Sequence, residues 1–101
     1  MKKIINGKLY NTQSATMLVS YGNRCLPNDF HYVEENLYRK ASGEFFLYVC
    51  GGAMSIYAEH FETGSRGSER IIPMTVDEAR EWAEAYADAD KYMEIFGEVE
   101  E

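Results

Sequence analysis

Apolar residues along this chain recur with two different periods, and the change from one to the other divides it into a sheet-forming part and a helical tail. The segments from Phe30 to Lys40 and from Glu44 to Cys50 are rich in aromatic and β-branched residues. They flank Ala41-Ser42-Gly43, the composition of a β-hairpin. In the second arm Phe46, Tyr48 and Cys50 alternate with Phe45, Leu47 and Val49, so both faces are apolar and the strand is predicted to be central or covered. Lys2 to Asn6 before Gly7, with Lys8-Leu9-Tyr10 continuing, predicts a short strand and a tight turn. Asn11 or Thr12 then caps a predicted short helix through Ser20, because Ala15, Leu18 and Val19 fall at helical spacing and Tyr21-Gly22-Asn23 supplies a stop. Asn23 to Asp29, with Pro27, reads as a loop.

Gly51-Gly52 ends the second hairpin arm, and Ala53 to Glu59 fits either a short helix or another strand. Gly64 to Ser68 reads as a flexible loop, and Glu69 to Met74 as a strand that Pro73 assigns to an edge or an end. Thr75-Val76-Asp77-Glu78 matches a capping box and predicts a helix from Val76 to about Ala87. Val76, Ala79, Trp82, Ala83 and Tyr86 share one face of it, expected to pack on the sheet. Asp88-Ala89-Asp90 opens a second short helix that turns Tyr92, Met93 and Phe96 inward and stops at Gly97. The expected fold is α+β, one domain over residues 1–101: a small, mainly antiparallel sheet centred on the 30–50 hairpin, flanked by a short N-terminal helix and the C-terminal helices.

Charge adds a polarity that the hydrophobic pattern does not show. The formal net charge is -7 on 101 residues. From Asp77 to Glu101 ten acids face two bases, whereas residues 1–76 carry seven acids and eight bases, so the last quarter holds the whole excess. Such a balance opposes direct binding to nucleic acid or to an anionic membrane and favours a basic partner. On the last long helix Asp77, Glu81, Glu84 and Asp88 fall at i, i+4, i+7 and i+11, one stripe on a helical count, with Arg80 as the nearby counter-charge. A solvated helix face is the ordinary reading of such a stripe. The functional reading is a row of carboxylates that imitates the charge of a nucleic-acid strand, extended by Glu94 and Glu98.

Other chemistry is sparse. Cys25, His31, Cys50 and His60 lack the close pairs of a zinc module, so no metal and no cofactor are expected. Cys50 in an apolar strand reads as a small buried hydrophobe, and both thiols are expected to be free in a reducing cytoplasm. Glu34-Glu35 is a carboxylate pair suited to acid/base work, but a chain of this size offers little room for a glycosidase or nuclease cleft. A small hydrolase would need His31 or His60 beside a carboxylate or thiol in a concave pocket. The glycine-containing segments match no phosphate-binding fingerprint and read as turns. No apolar run is long enough to span a bilayer. Tyr32, Tyr38, Tyr48, Tyr57, Tyr86 and Tyr92 complete a small core with Trp82, and any of them left exposed would anchor a protein contact.

Met1-Lys-Lys-Ile-Ile-Asn-Gly-Lys-Leu-Tyr10, Leu37-Tyr-Arg-Lys-Ala-Ser-Gly-Glu-Phe-Phe-Leu-Tyr48, Gly51-Gly-Ala-Met-Ser55, Ile71-Ile-Pro-Met-Thr75, Glu78-Ala-Arg-Glu-Trp-Ala83 and Ile95-Phe-Gly-Glu-Val-Glu-Glu101 together resemble one family. It is the group of short acidic proteins of bacterial phages and other mobile elements that includes anti-CRISPR inhibitors of the type I-C system. The resemblance runs nearly the whole chain and rests on overall phrasing, with no catalytic signature to carry over. It implies a non-enzymatic inhibitor in the cytoplasm of the bacterial host, and the protein is expected to be a monomer. Its partner would be a Cascade-type CRISPR effector, whose basic DNA-binding groove it would close to target DNA. Tyr48-Val49-Cys50 departs from the family's pattern, where more polar residues are expected. If that run faces outward, a hydrophobic partner contact matters as much as the charge, and the alternative to the inhibitor is a mobile-element adaptor acting through an apolar or aromatic surface.

Overall fold

In a computed structural model, which describes residues 1–26, 28–61 and 64–100, the chain forms eight strands followed by two helices. Pro27 of the expected loop and Glu101 of the acidic tail lie outside the described residues. Strands β1 (Lys2–Ile5) and β2 (Lys8–Asn11) form a hairpin whose turn places Asn6 and Gly7 at φ 51° and 75°, the left-handed pair that a tight two-residue turn requires. Strands β3 (Thr16–Gly22), β4 (Val33–Arg39), β5 (Phe45–Gly51) and β8 (Ser68–Met74) form an antiparallel sheet in the order β3-β4-β5-β8. A small ladder joins β6 (Glu59–Phe61) to β7 (Gly64–Arg66). The expected 30–50 hairpin is the centre of the main sheet, and β8 with Pro73 is at its edge. Ala53 to Ala58 is neither helix nor strand but a run of turns.

The expected N-terminal helix is absent, and strand β3 occupies most of its span. The register against β4 shifts between Met17 and Val19. Leu18 and Val19 both pack against the core although they are consecutive. A bulge of this kind breaks the two-residue alternation and leaves apolar neighbours on one side, which on the sequence alone imitates helical spacing.

Both faces of β5 are covered, each by a different element. Phe45, Leu47 and Val49 pack with Leu37 beneath helix α1 (Val76–Tyr86), whose Ala79, Trp82 and Ala83 are buried. Val49 therefore belongs to the core under the helices, and of the Tyr48-Val49-Cys50 run only Tyr48 and Cys50, both half-buried, face the other side of the sheet. On the opposite face Phe46 and Ile71 pack against Tyr10 of the β1–β2 hairpin, with Tyr10 edge-on to Phe46 at 5.5 Å and Tyr38 stacked on Phe46 at 5.2 Å. Lys40 Nζ lies 3.7 Å from the centre of the Tyr10 ring, and Lys8 pairs with Glu44 at 3.2 Å, so the hairpin is tied to the β4–β5 turn.

The capping box at the start of α1 is complete. Glu78 N donates to Thr75 Oγ1 at 3.1 Å and Thr75 N donates to Glu78 Oε1 at 2.9 Å. Helix α2 (Ala89–Phe96) folds back so that the Phe96 ring lies 5.4 Å from that of Phe45. Val76 and Tyr86 of α1 and Met93 of α2, expected to face inward, are instead exposed at the margins of the helical layer, and Tyr86 stacks on Tyr21 at 4.2 Å. An 11-residue helix crossing a four-stranded sheet has its ends beyond the covered area. No helix among the described residues is long and apolar enough to cross a membrane.

Candidate functional site

Three of the four carboxylates of the expected stripe share the solvent face of α1. Asp77, Glu81 and Glu84 are exposed on the side away from Ala79 and Ala83. With a rise of 1.5 Å per residue they span about 10 Å. None of the three enters an ion pair among the described residues. Arg80, the expected counter-charge, turns away from them, and its guanidinium lies 5.4 Å from the centre of the Phe96 ring.

Asp88 does not belong to that stripe. Helix α1 ends at Tyr86, and Ala87 is extended, with ψ 155°, so the helical count stops before residue 88. Asp88 is the N-cap of α2, its Oδ1 accepting from Lys91 N at 2.7 Å. Glu94 is exposed on α2 and pairs with Lys91 at 3.4 Å, and Glu98 follows the cap residue Gly97.

Placement along the helix separates the acids that stabilise the fold from those that do not. Asp77 and Glu78 occupy the first turn of α1, where the helix dipole favours negative charge. Glu84 lies in the last turn, which holds no base, so its charge opposes the dipole at a cost of roughly 0.3–1 kcal/mol.

Where the two helices meet, a cleft of about 360 Å³ opens to solvent. Ala83, Ala87 and Ala89 are small enough to leave it open, Tyr92, Met93 and Val99 line its sides, and Glu84 and Asp88 stand on it as the acidic members. Sequence reasoning assigned Met93 to the core and missed this cleft, since a helical count describes faces and not the corner between two helices. The available signal was the recurrence of alanine at 83, 87 and 89 beside large apolar residues.

Glu34 and Glu35 do not form an acid/base pair, because they are adjacent on a strand and point to opposite faces. Glu35, 8 % exposed, faces α1, accepting from Trp82 Nε1 at 2.7 Å and from the Tyr57 hydroxyl at 2.6 Å. Burial and the bond to Glu35 push the Tyr57 hydroxyl well above its ordinary range. On the other face Tyr32 donates to Glu34 at 2.5 Å, a bond that raises its pKa to about 12, and Tyr48 donates to Glu69, which raises Tyr48 also. Between them Cys50 is half-buried, its thiol pushed up by burial. Cys25 and Cys50 are both free thiols, His31 and His60 are exposed, and no group of three or more His, Cys, Asp or Glu side chains able to hold a metal occurs among the described residues.

Of the glycines expected in turns, Gly51 and Gly52 have a packing role, whereas Gly64 to Ser68, expected as a flexible loop, forms β7 and the start of β8. Gly51 ends β5 within the ladder to β8, and a Cβ on Gly52 would strike the carbonyl of Asp29 and come within 2.6 Å of that of Phe30. This close approach joins the loops. Met54 N donates to Phe30 O at 2.7 Å and Ser65 Oγ to Ala53 O at 2.6 Å. Around these bonds Leu26, Phe30, Met54, Ile56 and Phe61 are exposed, the last four on loops or strands joined directly by them, and Ile56 reaches 77 % exposure. The chain has no match among protein-family models, curated proteins or solved structures.

Proposed function

We propose that this protein is a non-enzymatic anti-CRISPR inhibitor that occupies the basic DNA-binding channel of a type I, I-C-like effector and keeps target DNA out. The observation that carries the reading is the row of Asp77, Glu81 and Glu84, exposed and without ion pairs among the described residues, with Glu84 in the last turn of the helix where no base accompanies it. Asp88, Glu94 and Glu98 continue the same sign of charge over α2 and the tail. A field of this kind steers a basic partner into contact and makes the encounter sensitive to salt. The resemblance in the terminal and hairpin segments supplies the identity of the partner. The test is charge reversal of Asp77, Glu81 and Glu84 to Lys in one variant. Abolished inhibition with an unchanged circular-dichroism spectrum supports the reading, and full inhibition by the folded variant contradicts it.

A second reading, a mobile-element adaptor binding another protein through apolar surface, is favoured by the exposed Leu26, Phe30, Met54, Ile56 and Phe61, which lie outside the acidic last quarter of the chain. Its complex would hold or tighten as salt rises, whereas the acidic reading requires weakening.

A further inference from the structure

The cleft between α1 and α2 combines apolar walls with carboxylates that no ion pair among the described residues neutralises. Ala83 and Ala87 form a shallow base, and Tyr92, Met93 and Val99 supply large apolar surface around it. Met93 and Val99 are 38 % and 54 % exposed, so the apolar surface of the cleft is in contact with water. Glu84 and Asp88, both exposed, adjoin this surface, and neither is in an ion pair among the described residues. A volume of about 360 Å³ is at the lower end of pockets that take small ligands. It suits a large side chain or two presented by a chain segment.

We infer that this cleft is a docking site for a basic amphipathic segment of a partner protein, one that inserts a large aliphatic or aromatic side chain over Ala83 and Ala87, against Tyr92 and Met93, and sets Lys or Arg against Glu84 and Asp88. Charge complementarity selects the occupant. An acidic or neutral apolar segment would bury or crowd the two carboxylates without pairing them, at a desolvation cost that a basic segment offsets. Nucleic acid is repelled by the same two groups. The helix-in-groove mode of recognition has this chemistry, with apolar anchors one turn apart flanked by charge. The inference rests on the reading above in taking the partner as basic, and it deepens that reading by giving the contact an apolar anchor beside the charged row.

The test uses the full chain and a fluorescently labelled synthetic helix of leucine and lysine as probe, with anisotropy as readout. Two control peptides keep the length: one replaces the leucines with serine at the same net charge, and the other replaces the lysines with glutamate. The leucine–lysine peptide is expected to bind more than about tenfold tighter than the serine–lysine peptide, since burying one leucine is worth at least that factor, and the glutamate peptide is expected not to bind. Ala89→Phe fills the cleft and Met93→Ser removes one wall, both at exposed positions and with no change of charge. Each is expected to weaken the leucine–lysine peptide about tenfold while the thermal midpoint stays within a few degrees. Equal binding of the two lysine peptides, or unchanged binding by both variants, overturns the docking site. Charge reversal at Asp77 and Glu81, outside the cleft, separates the two claims. If it abolishes effector binding while Ala89→Phe and Met93→Ser bind every probe as the wild type does, the charged row stands and the cleft proposal fails. If it leaves effector inhibition intact while the cleft variants lose the peptide, the charged row fails and the cleft stands.

Discussion

Trp82 Nε1 donates a 2.7 Å hydrogen bond to Glu35 Oε1 across 47 positions of sequence, fastening helix α1 to the middle of the sheet through a buried carboxylate. Tyr57 donates to the other oxygen of the same group, so both oxygens of Glu35 are satisfied. The acidic face of α1 is therefore held at a fixed orientation by a bond on its opposite side. Removing one donor leaves part of a buried carboxylate unpaired, a penalty of roughly 1–3 kcal/mol. Trp82→Phe is expected to lose at least that much in urea unfolding, the missing ring volume adding to it. Tyr57→Phe isolates the hydroxyl and is expected to lose the hydrogen bond alone, near the lower end of the range.

Thr75 closes the capping box from which α1 begins. Thr75→Ala is expected to destabilise the protein by about 1 kcal/mol, and Thr75→Asp, which restores an acceptor and adds charge at the favourable end of the dipole, to recover most of it. Thermal unfolding of the three proteins side by side provides the comparison.

Tyrosine titration reports the tyrosine–carboxylate bonds on the two faces of the sheet. The bond to Glu34 raises Tyr32 from its ordinary value of 10.0 to about 12, and Tyr48 and Tyr57 shift in the same direction. The folded protein holds these protons more tightly than the unfolded chain, so the stabilisation is fully present below pH 10 and is lost as pH rises toward 12. Tyrosinate absorbance is expected to show part of the tyrosines ionising late in the folded protein and all of them together in denaturant. Glu34→Gln is expected to advance Tyr32. Early ionisation of every tyrosine with the fold intact would contradict these contacts.

Gly52 carries the junction of two loops, because a side chain there meets the backbone of Asp29 and Phe30. Neither carbonyl can move aside without breaking the bonds made to Phe30 and Asp29. Gly52→Ala is expected to cost roughly 1–3 kcal/mol, as over-packing generally does, measured as a lower midpoint in urea. Gly43→Ala, at a turn with open space but a φ of 94°, isolates the cost of left-handed backbone without the clash.

Elements governed by local chemistry were legible in the sequence. The capping box, the turn at Asn6-Gly7, the hairpin around Ala41-Ser42-Gly43 and the stop at Gly97 each depend on a few neighbouring residues, and each is where its residues placed it. Strand β3 was not legible, because its bulge puts Leu18 and Val19 on one side and erases the alternation that marks a strand. The stripe was legible through Glu84 and misread at Asp88, since a helical count has no means of knowing that the backbone turns at Ala87. Glu35 left a fainter signal. By alternation it shares a face with Val33 and Leu37, and a carboxylate on an apolar face requires donors, which only the aromatic residues with N–H or O–H groups were placed to give.

The most direct measurement is binding of the purified protein to a type I-C effector complex with and without saturating target DNA, at low and at high salt. Occupation of the DNA channel by the acidic face of α1 requires that DNA and the protein exclude each other and that the affinity fall steeply as salt is raised. Simultaneous binding of both, with an affinity that salt leaves unchanged, would contradict it.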